Sequence, residues 1–141
     1  MEPSKVHALP LTATADLVRQ LQSPFFAWQY AKPMLEQSVE MLHGTHTIDD
    51  ICLMIGSGSL RLWVSPGACA LTEFFQTPRI KVLNVFLVGG DLGVLRLMYD
   101  EQLEPFARQN GCARITGAGR PGWSRVPSNW VHGGVYMHKD L

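Results

Sequence analysis

The run from Leu60 to Val88 constrains the fold of this chain most, because its hydrophobic period switches to two and stays there through three consecutive segments. Leu60 to Val64 alternates, Ser65-Pro66-Gly67 turns the chain, Ala68 to Phe75 alternates again, and Gln76-Thr77-Pro78-Arg79 turns into Ile80 to Val88. Alternation aims every second side chain at one face of a strand, and turns this short fold successive strands back on each other. A three-stranded antiparallel meander is therefore predicted.

Helical patterns flank the meander. Residues 5 to 11 predict a short edge strand that Pro10 stops, followed by a helix at about 14 to 22. Ser23-Pro24 is expected to break that helix. Phe25, Phe26, Trp28 and Tyr30 read as an aromatic connector, and Lys32-Pro33 as the opening of a helix to about Leu42, with Met34, Leu35, Val39 and Leu42 on one face and Gly44 as its end. Thr47 followed by Asp49 and Asp50 has the form of an N-cap with first-turn acids, opening a short helix through Ile51, Cys52 and Ile55 to Gly56.

Beyond the meander, Asp91 opens the longest helical pattern, with Leu92, Leu95, Tyr99, Leu103, Phe106 and Ala107 on one face and Asn110-Gly111 as its stop. Pro105 should kink this helix near Glu101 to Glu104, or mark a restart there. Cys112 to Thr116 predicts a further strand, Gly119 to Trp123 an exposed turn, and Val131 to His138 a last strand.

Composition narrows the partners. Twelve basic residues balance twelve acidic ones, so no net field draws the protein to nucleic acid or to an anionic membrane, and nucleic acid is not an expected partner. Charged residues make up 17% of the chain against about 25% in ordinary soluble domains. A small domain so poor in charge exposes apolar surface, which predicts a homo-oligomer or a protein partner. No window reaches eighteen apolar residues and the first residues lack a basic segment followed by an apolar one, so no membrane span is expected and the chain is expected to be cytoplasmic when made. Cys52, Cys69 and Cys112 are odd in number and lie in apolar runs, the pattern of buried thiols in a reducing compartment.

The order of helices, three-stranded meander, long helix, strand, turn and strand over about residues 31 to 141 resembles that of the GNAT (acyl-CoA N-acyltransferase-like) superfamily. Its most specific part is Phe106-Ala107-Arg108-Gln109-Asn110-Gly111-Cys112, which is similar to the helix-to-strand joint after the acyl-CoA loop of GNAT enzymes. Gly119-Arg120-Pro121-Gly122-Trp123-Ser124-Arg125 is also similar to a pattern in small acetyltransferase-like proteins of tailed bacteriophages. The resemblance implies one α+β domain over residues 1–141, with a mixed, mostly antiparallel sheet flanked by helices. It also implies phage structural proteins as partners and association with the virion.

GNAT enzymes hold the acyl-CoA pyrophosphate on backbone N–H groups of a loop of the type Gln/Arg-x-x-Gly-x-Gly/Ala. By resemblance the matching residues here are Val88, Gly89, Gly90, Leu92 and Gly93. The segment Val88-Gly89-Gly90-Asp91-Leu92-Gly93 departs from that pattern: it has no Gln or Arg at the expected offset and no basic residue between Lys81 and Arg96. Asp91 at an N-cap would occupy the same donors, and a unit charge about 5 Å from a phosphate costs about 3 kcal/mol at an effective dielectric near 20. No cofactor is therefore assigned from sequence; acetyl-CoA is the one implied if the protein is an enzyme.

Candidate chemistry sits on the meander. A hairpin of two or four residues at Gln76 to Arg79 pairs Glu73 with Val82 or with Asn84, and either register puts Glu73 and Asn84 on one face. Glu73 is then either a general base toward an amine, the role a central-sheet glutamate often plays in GNAT enzymes, or a residue of a solvent-exposed face near the strand end, or one half of a satisfied buried hydrogen bond. Tyr136 is either the proton donor to a departing thiolate that the resemblance implies or an amphipathic sheet residue. His132 and His138 flank the same predicted strand without a carboxylate partner and read as surface histidines. His43 and His46 have the spacing of metal ligands, but no third or fourth ligand can be named and no metal is expected.

Arg114, Arg120, Trp123, Arg125 and Trp130 combine the residue types that anchor binding surfaces. Two functions follow. One is a GNAT-like binding or assembly protein without catalysis, for which the altered loop, low charge and Arg/Trp cluster speak; the other is an N-acyltransferase moving an acetyl group from acetyl-CoA to an amine, with Glu73 as base, Asn84 orienting the substrate and Tyr136 as acid.

Overall fold

In the computed structural model, which describes residues 11–118, 130, 131, 133, 134 and 136–141, the three alternating segments form strands β1 (Arg61–Ser65), β2 (Ala68–Gln76) and β3 (Lys81–Gly90). They pair antiparallel, with Ser65 opposite Ala68 across Pro66-Gly67 and Gln76 opposite Lys81 across the second turn. Thr77 closes that second turn: its amide and hydroxyl donate to the Ile80 carbonyl at 2.9 Å each, and its hydroxyl accepts from the Ile80 amide at 3.1 Å. Strand β4 (Cys112–Gly117) returns parallel to β3, giving a mixed sheet in the order β1-β2-β3-β4. The α+β class and mixed, mostly antiparallel sheet read from the sequence agree with this.

Before the sheet come α1 (Leu11–Gln20), α2 (Pro24–Ser38), a 3-10 turn (Val39–Leu42) and α3 (Ile48–Ser57). Helix α2 corrects the aromatic connector expected at Phe25 to Tyr30. Ser23-Pro24 separates α1 from α2 as the sequence predicts, but Ser23 is extended and precedes Pro24 at the first helical position, so the pair also starts the next helix at once. Ala27, Ala31, Leu35 and Ser38 then recur on one buried stripe, and packing of that stripe carries the helix through Pro33 despite the lost N–H. Residues 5–10 of the expected edge strand lie outside the described residues, and Leu11 already belongs to α1.

Helix α3 begins as its sequence predicts. The Thr47 hydroxyl accepts from the Asp50 amide at 3.2 Å and the Asp50 carboxylate accepts from the Thr47 amide at 2.9 Å, a reciprocal capping box. It runs past the stop expected at Gly56, because the left-handed backbone that ends it is adopted by Gly58 at φ +85°.

The long helical pattern after β3 is present in three parts: α4 (Leu92–Met98), a π-helical turn (Tyr99–Leu103) and α5 (Glu104–Gln109). The kink expected from Pro105 takes the form of this wider turn. Pro105 has no N–H for the Glu101 carbonyl and its ring crowds that group, and a π-turn accommodates both effects without ending the helix.

The sheet is covered on both faces. On one, Leu83 and Val85 pack with Val94, Leu95, Met98, Leu103 and Ala107 of the helical run after β3. On the other, Cys69, Leu71 and Leu87 pack with Ala31 and Leu35 of α2 and Ile51 of α3. Among the described residues no helix is long and apolar enough to cross a membrane. The last strand expected at Val131 to His138 is absent among the described residues of that span, with His132 and Val135 outside them; Gly133-Gly134 lies in its middle, and neither residue has a side chain to pack on a sheet.

Candidate functional site

The helices α2 and α3 cover only one end of their sheet face. Past Leu71 the same face continues as two cross-strand rows. The first is Glu73, Asn84 and Thr116, one residue from each of β2, β3 and β4; the second is Phe75, Val82 and Arg114. Of the two registers allowed by the hairpin, the structure adopts the one that sets Glu73 directly opposite Asn84.

The first row is a hydrogen-bonded chain. The Thr116 hydroxyl donates to Asn84 Oδ1 at 2.8 Å, and Asn84 Nδ2 donates to Glu73 Oε2 at 3.0 Å. All three residues are half-buried. The geometry thus supplies the satisfied hydrogen bond that sequence offered as one reading of the Glu73–Asn84 pair, extended by a threonine the sequence did not single out. Alternation within Cys112 to Thr116 was the signal for Thr116, since it puts Arg114 and Thr116 on one face.

Beyond the second row lies an open cleft of about 540 Å³, lined by Phe75, Thr77, Pro78, Arg79, Ile80, Val82, Arg114 and Thr116. Phe75 and Val82 give it an apolar floor and the two arginines stand at its exposed margin. Arg79 was legible only as a turn residue; in the structure it lines the cleft together with Arg114.

The other end of β3 carries the segment matched to the acyl-CoA loop. Asp91 is the N-cap of α4, and its Oδ1 accepts from Gly93 N at 2.7 Å and Val94 N at 3.2 Å. The Asp91 amide donates to the Gly67 carbonyl at 2.8 Å, tying this corner to the β1–β2 turn. Gly90 takes φ +98°, and a Cβ there would lie 2.2 Å from Gly67 O; a Cβ on Gly89 would lie 2.9 Å from Met34. Val88 packs against the α4–α5 side of the sheet, whereas Leu92 is exposed. A second, smaller cleft of about 250 Å³ lies here among Tyr30, Pro33, Met34, Gln37, Gly67, Gly90 and Asp91. Tyr30 borders it with a hydroxyl that accepts from Gly67 N at 3.0 Å.

The two parallel strands pair only from Lys81 with Cys112 to Val85 with Gly117. Phe86 is a bulge, since Thr72 is opposite Val85 while the preceding Leu71 is opposite Leu87. From Phe86 to Gly90, β3 therefore has no strand partner on its β4 side among the described residues.

The remaining candidates are dispersed. Tyr136 stacks on His43 with ring centroids 5.3 Å apart, and His138 lies 4.7 Å from the same imidazole. His46, in the same loop, meets the Phe86 ring edge-on at 5.0 Å. Tyr136 thus makes ring contacts with His43 and His138 and no hydrogen bond with Glu73. Trp130 packs edge-on against Tyr99 at 5.3 Å, on the α4–α5 side, while Arg114 faces the opposite side of the sheet. The structure therefore separates Arg114 from Trp130; Arg120, Trp123 and Arg125 lie outside the described residues.

Among the described residues no group of three or more His, Cys, Asp and Glu side chains is placed to hold a metal ion. The expectation of three buried thiols is corrected: Cys69 is buried, Cys112 half-buried and Cys52 exposed on α3, whose packed stripe passes through Ile51 instead. Burial pushes the Cys69 thiol up to about 12. The Tyr99 hydroxyl is likewise pushed up to about 12 by burial.

No protein-family model matches this sequence, and no curated protein matches it either. Solved structures that share the fold include those of two proteins. A tetramutant of the BH1408 protein from Bacillus halodurans has 13% identity and a TM-score of 0.52, covering 70% of this chain and 77% of its own. A point mutant of TTHA1254 from Thermus thermophilus has 13% identity and a TM-score of 0.51, covering 79% of this chain and 91% of its own. At such identity the likeness is one of fold alone.

Proposed function

We propose that this chain is a GNAT-like protein that works by binding and assembly rather than by acyl transfer, as a part suited to a tailed-phage particle. One observation carries the reading: the Asp91 carboxylate already accepts from the Gly93 and Val94 amides, donors that an acyl-CoA pyrophosphate would need at the start of α4. A phosphate arriving there would meet a carboxylate in place of free N–H groups. Exposed apolar side chains support the assembly part, with Phe25 at 74%, Leu53 at 73% and Leu97 at 55% exposure. The phage setting rests on the sequence resemblance.

The test is the mass of the protein in solution across a micromolar dilution series. An oligomer that dissociates on dilution, or a stable one, supports assembly with its own copies; a strict monomer that also fails to retain any protein from the particles of its phage contradicts it.

A second reading, transfer of an acetyl group from acetyl-CoA to an amine, is favoured by the unpaired β4 side of β3 from Phe86 to Gly90, where a ligand chain could lie along free backbone groups. In that reading Glu73 takes the amine proton, Asn84 orients the substrate and Tyr136 serves as the acid. Acetyl-CoA-dependent acetylation of an amine would establish it over the first, and no saturable change in tryptophan fluorescence at millimolar acetyl-CoA would contradict it.

A further inference from the structure

We propose that the cleft between the β2–β3 turn and β4 is a binding site for a small organic anion, an apolar body carrying a carboxylate or a phosphate group. The cleft has three properties that fit this ligand together. Its volume of about 540 Å³ lies within the range of small-molecule sites. Its floor is apolar, from Phe75, Val82 and Ile80, with the Phe75 ring 47% exposed. Its margin is cationic, from Arg79 and Arg114, and among the described residues neither guanidinium is paired with a carboxylate.

Among the described residues Arg61 and Arg96 also lack a carboxylate partner, but neither lines this cleft, and Arg61 lies over the Trp63 and Phe106 rings. Arg19 and Arg108 are each neutralised by an acid on their own helix, Asp16 and Glu104. Lys81, beside the cleft in sequence, points to the other face of the sheet, with its ammonium 4.4 Å from the Phe74 ring. The carboxylate on the cleft's own face, Glu73, is engaged by Asn84 one row away. Two guanidinium groups without a carboxylate partner among the described residues thus line one cleft beside an apolar floor, and a planar guanidinium suits both carboxylate and phosphate oxygens.

This inference does not rest on the absence of acyl transfer. The cleft lies at the Lys81 end of β3 and Asp91 follows the Gly90 end, about 30 Å apart for a strand of ten residues. Amide shifts resolved by residue therefore tell the two ends apart, even for acetyl-CoA, which itself carries phosphate groups.

The experiment is a titration of the full chain with phenyl phosphate and with phenylacetate at constant ionic strength, followed by amide resonances in two-dimensional NMR. Inorganic phosphate and phenol serve as the comparison probes. At least one of the two aryl anions should shift the amides of Phe75, Val82, Arg114 and Thr116 saturably, and which one does so separates a phosphate from a carboxylate ligand. Inorganic phosphate and phenol should each bind about tenfold more weakly or worse, because each supplies half of the recognition. Arg79→Gln and Arg114→Gln, both at exposed positions, should each weaken the aryl anion about tenfold, and the spectra of the free variants report that they are folded. The proposal is overturned if neither aryl anion saturates at millimolar concentration, if inorganic phosphate binds as well as they do, or if the double arginine variant retains the affinity.

Discussion

Asn84 donates its side-chain amide to Glu73 across the β2–β3 ladder at 3.0 Å, and the same side chain accepts from Thr116 on β4. One asparagine thereby ties three strands on a half-buried face. Replacing it with Leu keeps the apolar bulk but strands both partners, so Asn84→Leu should lower stability by about 1 to 3 kcal/mol in urea denaturation. In a double-mutant cycle, Asn84→Ala and Thr116→Val should couple by at least about 0.5 kcal/mol. Full additivity would show that the Thr116–Asn84 contact contributes nothing.

The start of α4 should respond to its cap. Asp91→Ala removes the acceptor for Gly93 N and Val94 N and should cost about 1 kcal/mol, whereas Asp91→Asn should cost less because its side-chain oxygen still accepts. Equal thermal stability of wild type and the alanine variant would show that the cap is not made in solution.

Two glycines should behave in opposite ways. At Gly90 a methyl group would collide with the Gly67 carbonyl at 2.2 Å and Ala68 Cα at 2.7 Å on a backbone with φ +98°, so Gly90→Ala should destabilise by about 2 kcal/mol or more. Gly56 lies within α3 with open space around it, so Gly56→Ala should stabilise by about 0.5 to 1 kcal/mol. Melting temperatures of the two variants check both signs.

Acid should loosen α3 first at its capping box. The Thr47 amide and then the Thr47 hydroxyl hold the Asp50 carboxyl below its ordinary 3.8. A group lowered on folding contributes stability that is fully present above its unfolded value and is lost as the pH falls through the folded one. The contribution should thus be intact at pH 5 and fade below about pH 4. Asp50→Asn should flatten the change of melting temperature with pH in that range; an unchanged slope would contradict the assignment.

Thiol chemistry should sort the cysteines by depth. At pH 8 a maleimide should label exposed Cys52 rapidly and leave Cys69, buried and pushed up to about 12, unlabelled until the protein unfolds. Rapid native labelling of Cys69 would contradict the packing of β2 against α2 and α3.

The meander and its neighbours were legible because local signals agreed with the fold. Alternation from Leu60 to Val88, the two turn sequences and the Thr47 cap each specify local structure. Helix α2 was misread where local and tertiary signals conflict: Ser23-Pro24 and Pro33 punctuate it, and only the spacing of Ala27, Ala31 and Leu35 reveals the buried stripe. The Glu73–Asn84 pair was legible because hairpin length fixes register. For Thr116 alternation gave only its side of β4; placing it beside Asn84, and Arg114 beside the Arg79 turn, requires the parallel pairing of β4 with β3, a long-range contact that no local pattern encodes.

The claim that Asp91 withholds the start of α4 from acyl-CoA is tested most directly by thermal denaturation with and without millimolar acetyl-CoA. A ligand present at 100 times its dissociation constant adds about 2.7 kcal/mol and raises the melting temperature by several degrees. An unchanged melting temperature is the predicted result. A saturable rise of that size that persists in the Arg79→Gln/Arg114→Gln double variant would contradict the account and establish acyl-CoA binding at the start of α4 in its place.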